Sequence, residues 1–268
     1  MDFILFLLYL SIFVLGICIG SFLNCVIYRL EIKKSLKGRS FCPQCKKLLK
    51  WYDLIPVFSF LFLKGKCRYC QQKISIQYPL VEISTAVLFV LIFWLLGLDL
   101  DLKFGFWDFI KPCFMFYVAS VMIVIFVYDL KHYEIPDKIL IPAIFITAIY
   151  DILIPCQLFF NACLANYFFA ALIGSGFFLF IFLISKGLWM GFGDVKFAIL
   201  MGLLLGFPNI LTALFLSFFF GAIIGIMLMV FKKKEIKSEI PFAPFLIIGT
   251  LLSVFWGSQI INWYLSLI

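Results

Sequence analysis

Two kinds of side chain in this sequence could do chemistry: a set of paired cysteines, and a few carboxylates at the ends of long apolar runs. Cys42-Pro-Gln-Cys45 and Cys67-Arg-Tyr-Cys70 are two C-x-x-C knuckles, separated by the 21 residues Lys46 to Lys66. Two such knuckles can wrap one tetrahedral zinc ion with four thiolates. The spacing lies just beyond the usual zinc-ribbon range. Basic neighbours would lower the thiol pKa values and offset the anionic site. A segment this small has little core of its own, so a metal staple suits it. The alternative is a pair of disulfides or free thiols, and a cytosolic location disfavours disulfides. Cys18, Cys25, Cys113, Cys156 and Cys163 lie in or near apolar runs and read as small apolar side chains.

Among the carboxylates, Asp129 directly follows the apolar run Val118–Tyr128, and Asp194 closes Gly191-Phe192-Gly193-Asp194. Ionisable groups at membrane depth are costly and mark function by default. Two carboxyls brought close cannot both ionise cheaply, so one keeps its proton and acts as acid while the other activates water as base. Glycines on either side of Phe192 would let the backbone turn sharply there. Taken singly, Asp129 also fits an ordinary helix end in the interface, and Asp194 fits a helix N-cap before Val195. Asp137 follows a proline and precedes an apolar run, so capping explains it. Glu82 opens an apolar run, where a helix N-terminal dipole would stabilise it. His132, the only histidine, has no partner histidine for a metal and reads as a solvated loop residue.

These residues must be positioned by helices in lipid. The apolar fraction is 65% and the charged fraction 13%, against about half and a quarter in a soluble domain. So much apolar surface cannot hide inside one water-soluble globule of 268 residues. A bilayer core takes roughly 20 apolar residues as helix, and spanning backbone must satisfy its own hydrogen bonds. The sequence predicts about eight spans, near 3–28, 80–98, 112–128, 139–155, 166–185, 195–207, 209–231 and 242–267. The sixth is short, and Pro208 separates it from the seventh. The first run is too long for the core of a cleavable signal, and no A-x-A-like site follows it, so it reads as a retained helix.

The net charge of +8 would suit nucleic acid, but its distribution excludes that reading. From Arg29 to Lys73 twelve basic residues face only Glu31 and Asp53. A basic block between apolar spans is what the positive-inside rule produces. Placing that block in the cytoplasm, eight spans put Lys131, Lys138, Lys186, Lys196, Lys232, Lys233, Lys234 and Lys237 on the same side. Lys103 and Lys111 fall outside, beside Asp99, Asp101 and Asp108, and both termini lie outside. The expected architecture is therefore all-α. It comprises a first transmembrane helix (1–28), a cytoplasmic cysteine-rich basic loop (29–79) and a membrane bundle (80–268).

Taken together and in order, these motifs resemble the bacterial type IV prepilin peptidases over nearly the whole chain. Gly20-Ser21-Phe22-Leu23-Asn24 with Tyr28-Arg29 is similar to the family's first-helix signature. Trp51-Tyr52-Asp53-Leu54-Ile55-Pro56, Gly65-Lys66-Cys67-Arg68-Tyr69-Cys70, Ile74-Ser75 and Tyr78-Pro79-Leu80-Val81-Glu82 follow as in family members. Asp129-Leu130, Ile135-Pro136-Asp137, the G-x-G-D motif running into Val195-Lys196, and Pro241-Phe242-Ala243-Pro244-Phe245 complete the match. Phe192 stands where Met is common, Ala243 stands where Gly is common, and Lys131–Glu134 is more polar than expected.

The resemblance implies a membrane aspartyl peptidase with Asp129 and Asp194 catalytic, and with Gly191, Gly193, Lys196, Asp137 and Glu82 in support. It implies leader cleavage after a glycine in type IV pilin or pseudopilin precursors, at the cytoplasmic face of the bacterial inner membrane. It also implies N-methylation of the new terminus with S-adenosylmethionine, an activity tied to the cysteine loop and to Gly65. No Rossmann-type G-x-G-x-x-G is present, so the transferase rests on the resemblance alone. A peptidase without methyltransferase activity is the near alternative. A proton- or cation-coupled transporter is the distant one, since intramembrane acids also serve transport, but it leaves the cysteine loop without a role. A metal-regulated membrane scaffold is a third reading.

Overall fold

A computed structural model describes residues 2–97, 106–153, 160–231 and 241–267. Lys103, Lys232, Lys233, Lys234, Lys237, Asp99, Asp101 and Cys156 lie outside the described residues. Among those described, the regular elements are helices. They are α1 (Asp2–Glu31), a 3-10 turn (Trp51–Leu54), α2 (Phe58–Phe62), α3 (Gln77–Leu95), α4 (Phe106–His132), α5 (Asp137–Leu153), α6 (Phe160–Ser185), α7 (Phe192–Leu205), α8 (Asn209–Val230) and α9 (Ala243–Leu265). Pairing of β type is limited there to isolated bridges at Phe41–Leu48 and Lys66–Lys73.

Each of the eight expected spans has a helix, and among the described residues six are long and apolar enough to cross a membrane: α1, α3, α4, α6, α8 and α9. The other two fall below that length within the described residues. Helix α5 has 17 described residues, and the expected span 139–155 runs on into positions outside the described set. Helix α7 has 14, about 21 Å at 1.5 Å per residue. It stops at Gly206, whose φ of 66° lies in the left-handed region. His132, expected in a loop, instead ends α4 with its ring 4.5 Å from that of Tyr128.

The chain divides into two compact units, Met1–Val124 and Ile125–Ile268. In the first, α1 packs along α3. A Cβ on Gly16 would lie 2.5 Å from the Ala86 Cα, and one on Gly20 2.6 Å from the Glu82 Cα. Two glycines one helical turn apart thus let the backbones touch. Such contact drives association in lipid, where apolar burial against lipid tails offers no gain. Phe89 stacks on Phe116 at 4.3 Å in the same unit.

In the second unit α7 is central, packed by α5, α6, α8 and α9. Its Gly202 closes onto the backbone of Ala170 and Ala171 in α6. Likewise Gly249 of α9 closes onto Ala213 and Ser217 of α8. A helix walled by protein need not match the bilayer thickness, because its neighbours shield it from lipid.

Candidate active site

Asp129 sits in the last turn of α4 and is 4% exposed; Asp194 sits in the first turn of α7 and is 8% exposed. Both belong to the second unit, and Asp129 lies within electrostatic reach of Asp194. Helix α4 stops just past Asp129 because Tyr133 turns left-handed at φ 56°, while its N–H bonds the Asp129 carbonyl at 2.9 Å. The Asp129 carboxyl accepts a hydrogen bond from the Ala243 N–H. Ala243 is the first residue of α9, fully buried, and its N–H is one of the amides a helix start leaves unpaired. The other oxygen, Oδ2, is buried with no partner.

Asp194 is not the N-cap of α7. That position is Gly191, and the Asp194 carboxyl, three residues on, reaches back to accept from the Gly191 N–H. This is one half of a capping box. The glycines serve differently than their flexibility suggests. Gly191 has an ordinary extended backbone at φ −74°, ψ 152°. Gly193 sits in a tight place, since a Cβ there would lie 3.2 Å from the Cβ of Ile135 in the α4–α5 connection. Asp137, expected as a cap, pairs with Lys196, whose Nζ lies 2.8 Å from both carboxylate oxygens. That bridge ties the start of α5 to the start of α7. The Lys196 Nζ also lies 5.4 Å from the Phe192 ring centre.

The first unit holds the cysteines. The sulfurs of Cys42, Cys45, Cys67 and Cys70 all lie within 4.8 Å of one another, with Cys42 and Cys70 3.9 Å apart. Zn–S bonds of ~2.3 Å set tetrahedral S···S edges near ~3.8 Å, so the donor set fits a zinc ion. The two knuckles are built alike. Each leading cysteine N–H bonds the carbonyl five residues on, Cys42 to Lys47 and Cys67 to Gln72. Each knuckle turns through a left-handed residue, Lys46 and Gln71. The basic surroundings do not lower all four thiols. Burial opposes the thiolate at Cys67, but the N–H groups of Cys70 and Tyr69 and the neighbouring thiols bring it down to about 7. Cys42 is pushed up, chiefly by burial.

Asp53 organises this loop, a role its sequence context did not announce. Its side chain is 2% exposed and accepts from Arg68 Nε at 2.7 Å and the Tyr69 hydroxyl at 3.2 Å. Arg68 and Tyr69 lie inside the second knuckle, so Asp53 fastens that knuckle to the 3-10 turn. Burial would raise its pKa, but Arg68, the Lys50 N–H and Tyr69 outweigh it and hold the carboxyl below its ordinary value.

Glu82 lies beyond the first turn of α3, too deep for a helix-end role. Its Oε2 accepts from the Val57 N–H at 2.7 Å, and the Ser21 hydroxyl also donates to it. Gly65 has φ 67° and a Cβ there would lie 3.1 Å from the Phe60 ring, so the turn after α2 requires glycine.

Fold and site define an all-helical, multi-pass membrane protein with a pair of buried carboxyls and a four-cysteine loop. Residues 14–96 match the bacterial peptidase A24 N-terminal domain, and residues 116–226 match the type IV leader peptidase family. A prepilin leader peptidase/N-methyltransferase of Legionella pneumophila is 30% identical over 97% of this chain and 95% of its own length. Proteins of the same description from Bacillus subtilis and Aeromonas salmonicida are each 31% identical. The first covers 96% of this chain and 97% of its own length, the second 97% and 95%. No solved structure matches. The chain belongs to the type IV leader peptidase family.

Proposed function

We propose that this protein cleaves the leader from type IV prepilins or pseudopilins and N-methylates the new terminus, with Asp129 and Asp194 as the proteolytic pair. The observation that carries the assignment is the buried, partnerless Oδ2 of Asp129 within electrostatic reach of Asp194. Two such carboxyls hold one proton between them. The ionised member takes a proton from water as the water oxygen attacks the scissile carbonyl. The C–N bond then breaks, and the other carboxyl gives its proton to the leaving amine. Gly191 and Gly193 set the approach of Asp194, and Asp137 and Lys196 brace the helix starts on either side.

Cys42, Cys45, Cys67 and Cys70 would hold a structural zinc, and the methyl group would come from S-adenosylmethionine. Gly65 serves the transferase by shaping the turn that leads into the second knuckle. The loop 29–79 acts as a module distinct from the first helix and from the bundle 80–268. It faces the cytoplasm at the bacterial inner membrane, both termini lie outside, and the substrate's apolar helix reaches the bundle through the lipid.

Co-expression with a prepilin, followed by intact-mass analysis of the product, reads both reactions. The expected product has lost its leader and gained one methyl group. An uncut precursor overturns the peptidase assignment, and a cut but unmethylated product favours the peptidase-only reading. Transport is not favoured, since it gives the four-cysteine loop nothing to do.

A further inference from the structure

We infer that the loop's apolar face, the 3-10 turn with α2, is a membrane-surface anchor that sits in an anionic lipid headgroup layer. The segment Trp51–Phe62 exposes an unusual amount of apolar surface. Trp51 is 75% exposed, Phe58 56%, Leu61 63% and Phe62 83%, with Leu54 and Ile55 at 40% each. A contiguous patch of large apolar side chains facing water marks a surface that something covers.

Depth identifies what covers it. The first N–H at the entry to α2, on Val57, donates to Glu82 at 2.7 Å. Glu82 lies five residues into α3, about 7.5 Å along the axis from Gln77. Helix α3 has 19 residues, about 28 Å, against a hydrocarbon core of ~30 Å. It has no length to spare, so its first turn lies at the acyl boundary. A backbone atom hydrogen-bonded to Glu82 cannot stand far above that level. The bond is backed from α1 by Ser21, which donates to the same carboxyl. Val57 itself has a positive φ of 61°, unusual for a β-branched residue, in the turn where the Phe58 N–H bonds the Pro56 carbonyl. Helix α2 is therefore held low, with its aromatic side chains at the depth where aromatic belts form.

Charge selects the lipid. Lys50, Lys64, Lys66 and Arg68 flank the apolar segment, within a loop that is basic throughout. Basic side chains around an apolar insertion favour anionic headgroups. The anchor rests on the membrane-spanning reading of α1 and α3 and is independent of the peptidase assignment.

The test places a photoreactive benzoylphenylalanine at Phe62 or at Leu61 in the full-length protein. The protein is held in vesicles of phosphatidylethanolamine and phosphatidylglycerol, and adducts are identified by mass. Exposed Lys37 is the control position. Lipid adducts at Phe62 and Leu61 at least ten times more abundant than at Lys37, and enriched in phosphatidylglycerol, support the anchor. Adducts mainly to other segments of this chain, to a second copy or to a co-expressed prepilin overturn it, as does a lipid yield equal to that at Lys37. With Glu82→Ala, the Phe62 lipid yield should fall at least threefold. An unchanged yield refutes the depth argument.

Discussion

Asp129→Asn and Asp194→Asn test the paired-carboxylate site most directly, because the structure says how each substitution fits. In Asp129→Asn the new side chain keeps an oxygen to accept from the Ala243 N–H, and its NH₂ group takes the place of the partnerless Oδ2. In Asp194→Asn the side chain likewise keeps an acceptor for the Gly191 N–H. Each variant replaces a buried ionisable carboxyl with a neutral group of nearly the same size, so it should fold, insert and melt near the wild-type temperature. Activity should fall steeply. A general acid–base group contributes about 10²–10⁴-fold, and a pair sharing one proton fails as a unit, so the loss should be about 10³-fold or more. That is about 4 kcal/mol of transition-state stabilisation. Members of such a unit are non-additive: the double variant should be no worse than the poorer single one. The assay is the initial rate of leader release from a purified prepilin in vesicles, at matched protein levels. If either single variant keeps more than a tenth of the activity, or if the two losses multiply in the double variant, the carboxyls do not work as one pair.

Asp137→Asn should be far milder. Its bridge to Lys196 is half exposed, such pairs contribute ~0–1 kcal/mol, and less than about a fivefold rate change is expected. Purified, reduced protein should carry about one zinc per chain by elemental analysis. Cys42→Ser or Cys67→Ser should release it, and a metal-free active preparation would refute the site. The Asp53 carboxyl is held below its ordinary value in the folded loop, so its contribution to stability is fully present above the unfolded pKa of ~3.9. It is lost as pH falls through the lower folded value. Amide exchange in the second knuckle should therefore be flat with respect to this group between about pH 5 and 7 and accelerate only below about pH 4; acceleration near neutrality in wild type but not in Asp53→Asn would contradict this. Gly202→Val would drive a Cβ into the Ala171 backbone and should cost at least the ~1–3 kcal/mol of ordinary overpacking, read as a lowered melting temperature.

Much of this architecture was legible because composition and spacing are local signals. The apolar runs announced the helices, and Pro208 marked the break between α7 and α8. The two C-x-x-C pairs announced a cluster whose sulfurs do converge. The close pairings were not legible. In a water-soluble helix the polar face shows which side is buried, but here both lipid and protein are apolar, and the 3.6-residue pattern fades. Nothing in α1 alone shows that Gly16 and Gly20 face α3. Nor could the sequence show that Asp53 would find Arg68 and Tyr69, or that Lys196 would find Asp137. Those partners are fixed by tertiary packing. The Ala243 amide is the hardest case, since a backbone N–H carries no side-chain signature at all.

The shortness of α7 ties these points together. At about 21 Å it falls well short of a ~30 Å hydrocarbon core. Four neighbouring helices wall it in, so the mismatch exposes no backbone to lipid. The neighbours that wall α7 also cover its first turn, so Asp194 is 8% exposed within electrostatic reach of Asp129, itself 4% exposed. In the same turn Gly193 lies against Ile135, in the connection just past Asp129, where a Cβ on residue 193 would sit 3.2 Å from the Ile135 Cβ and require the side chain to give by a few tenths of an ångström. The G-x-G-D sequence therefore does two structural jobs. It begins a short helix with a carboxylate that caps its own start, and it leaves bare the surface on which the other carboxylate's segment rests.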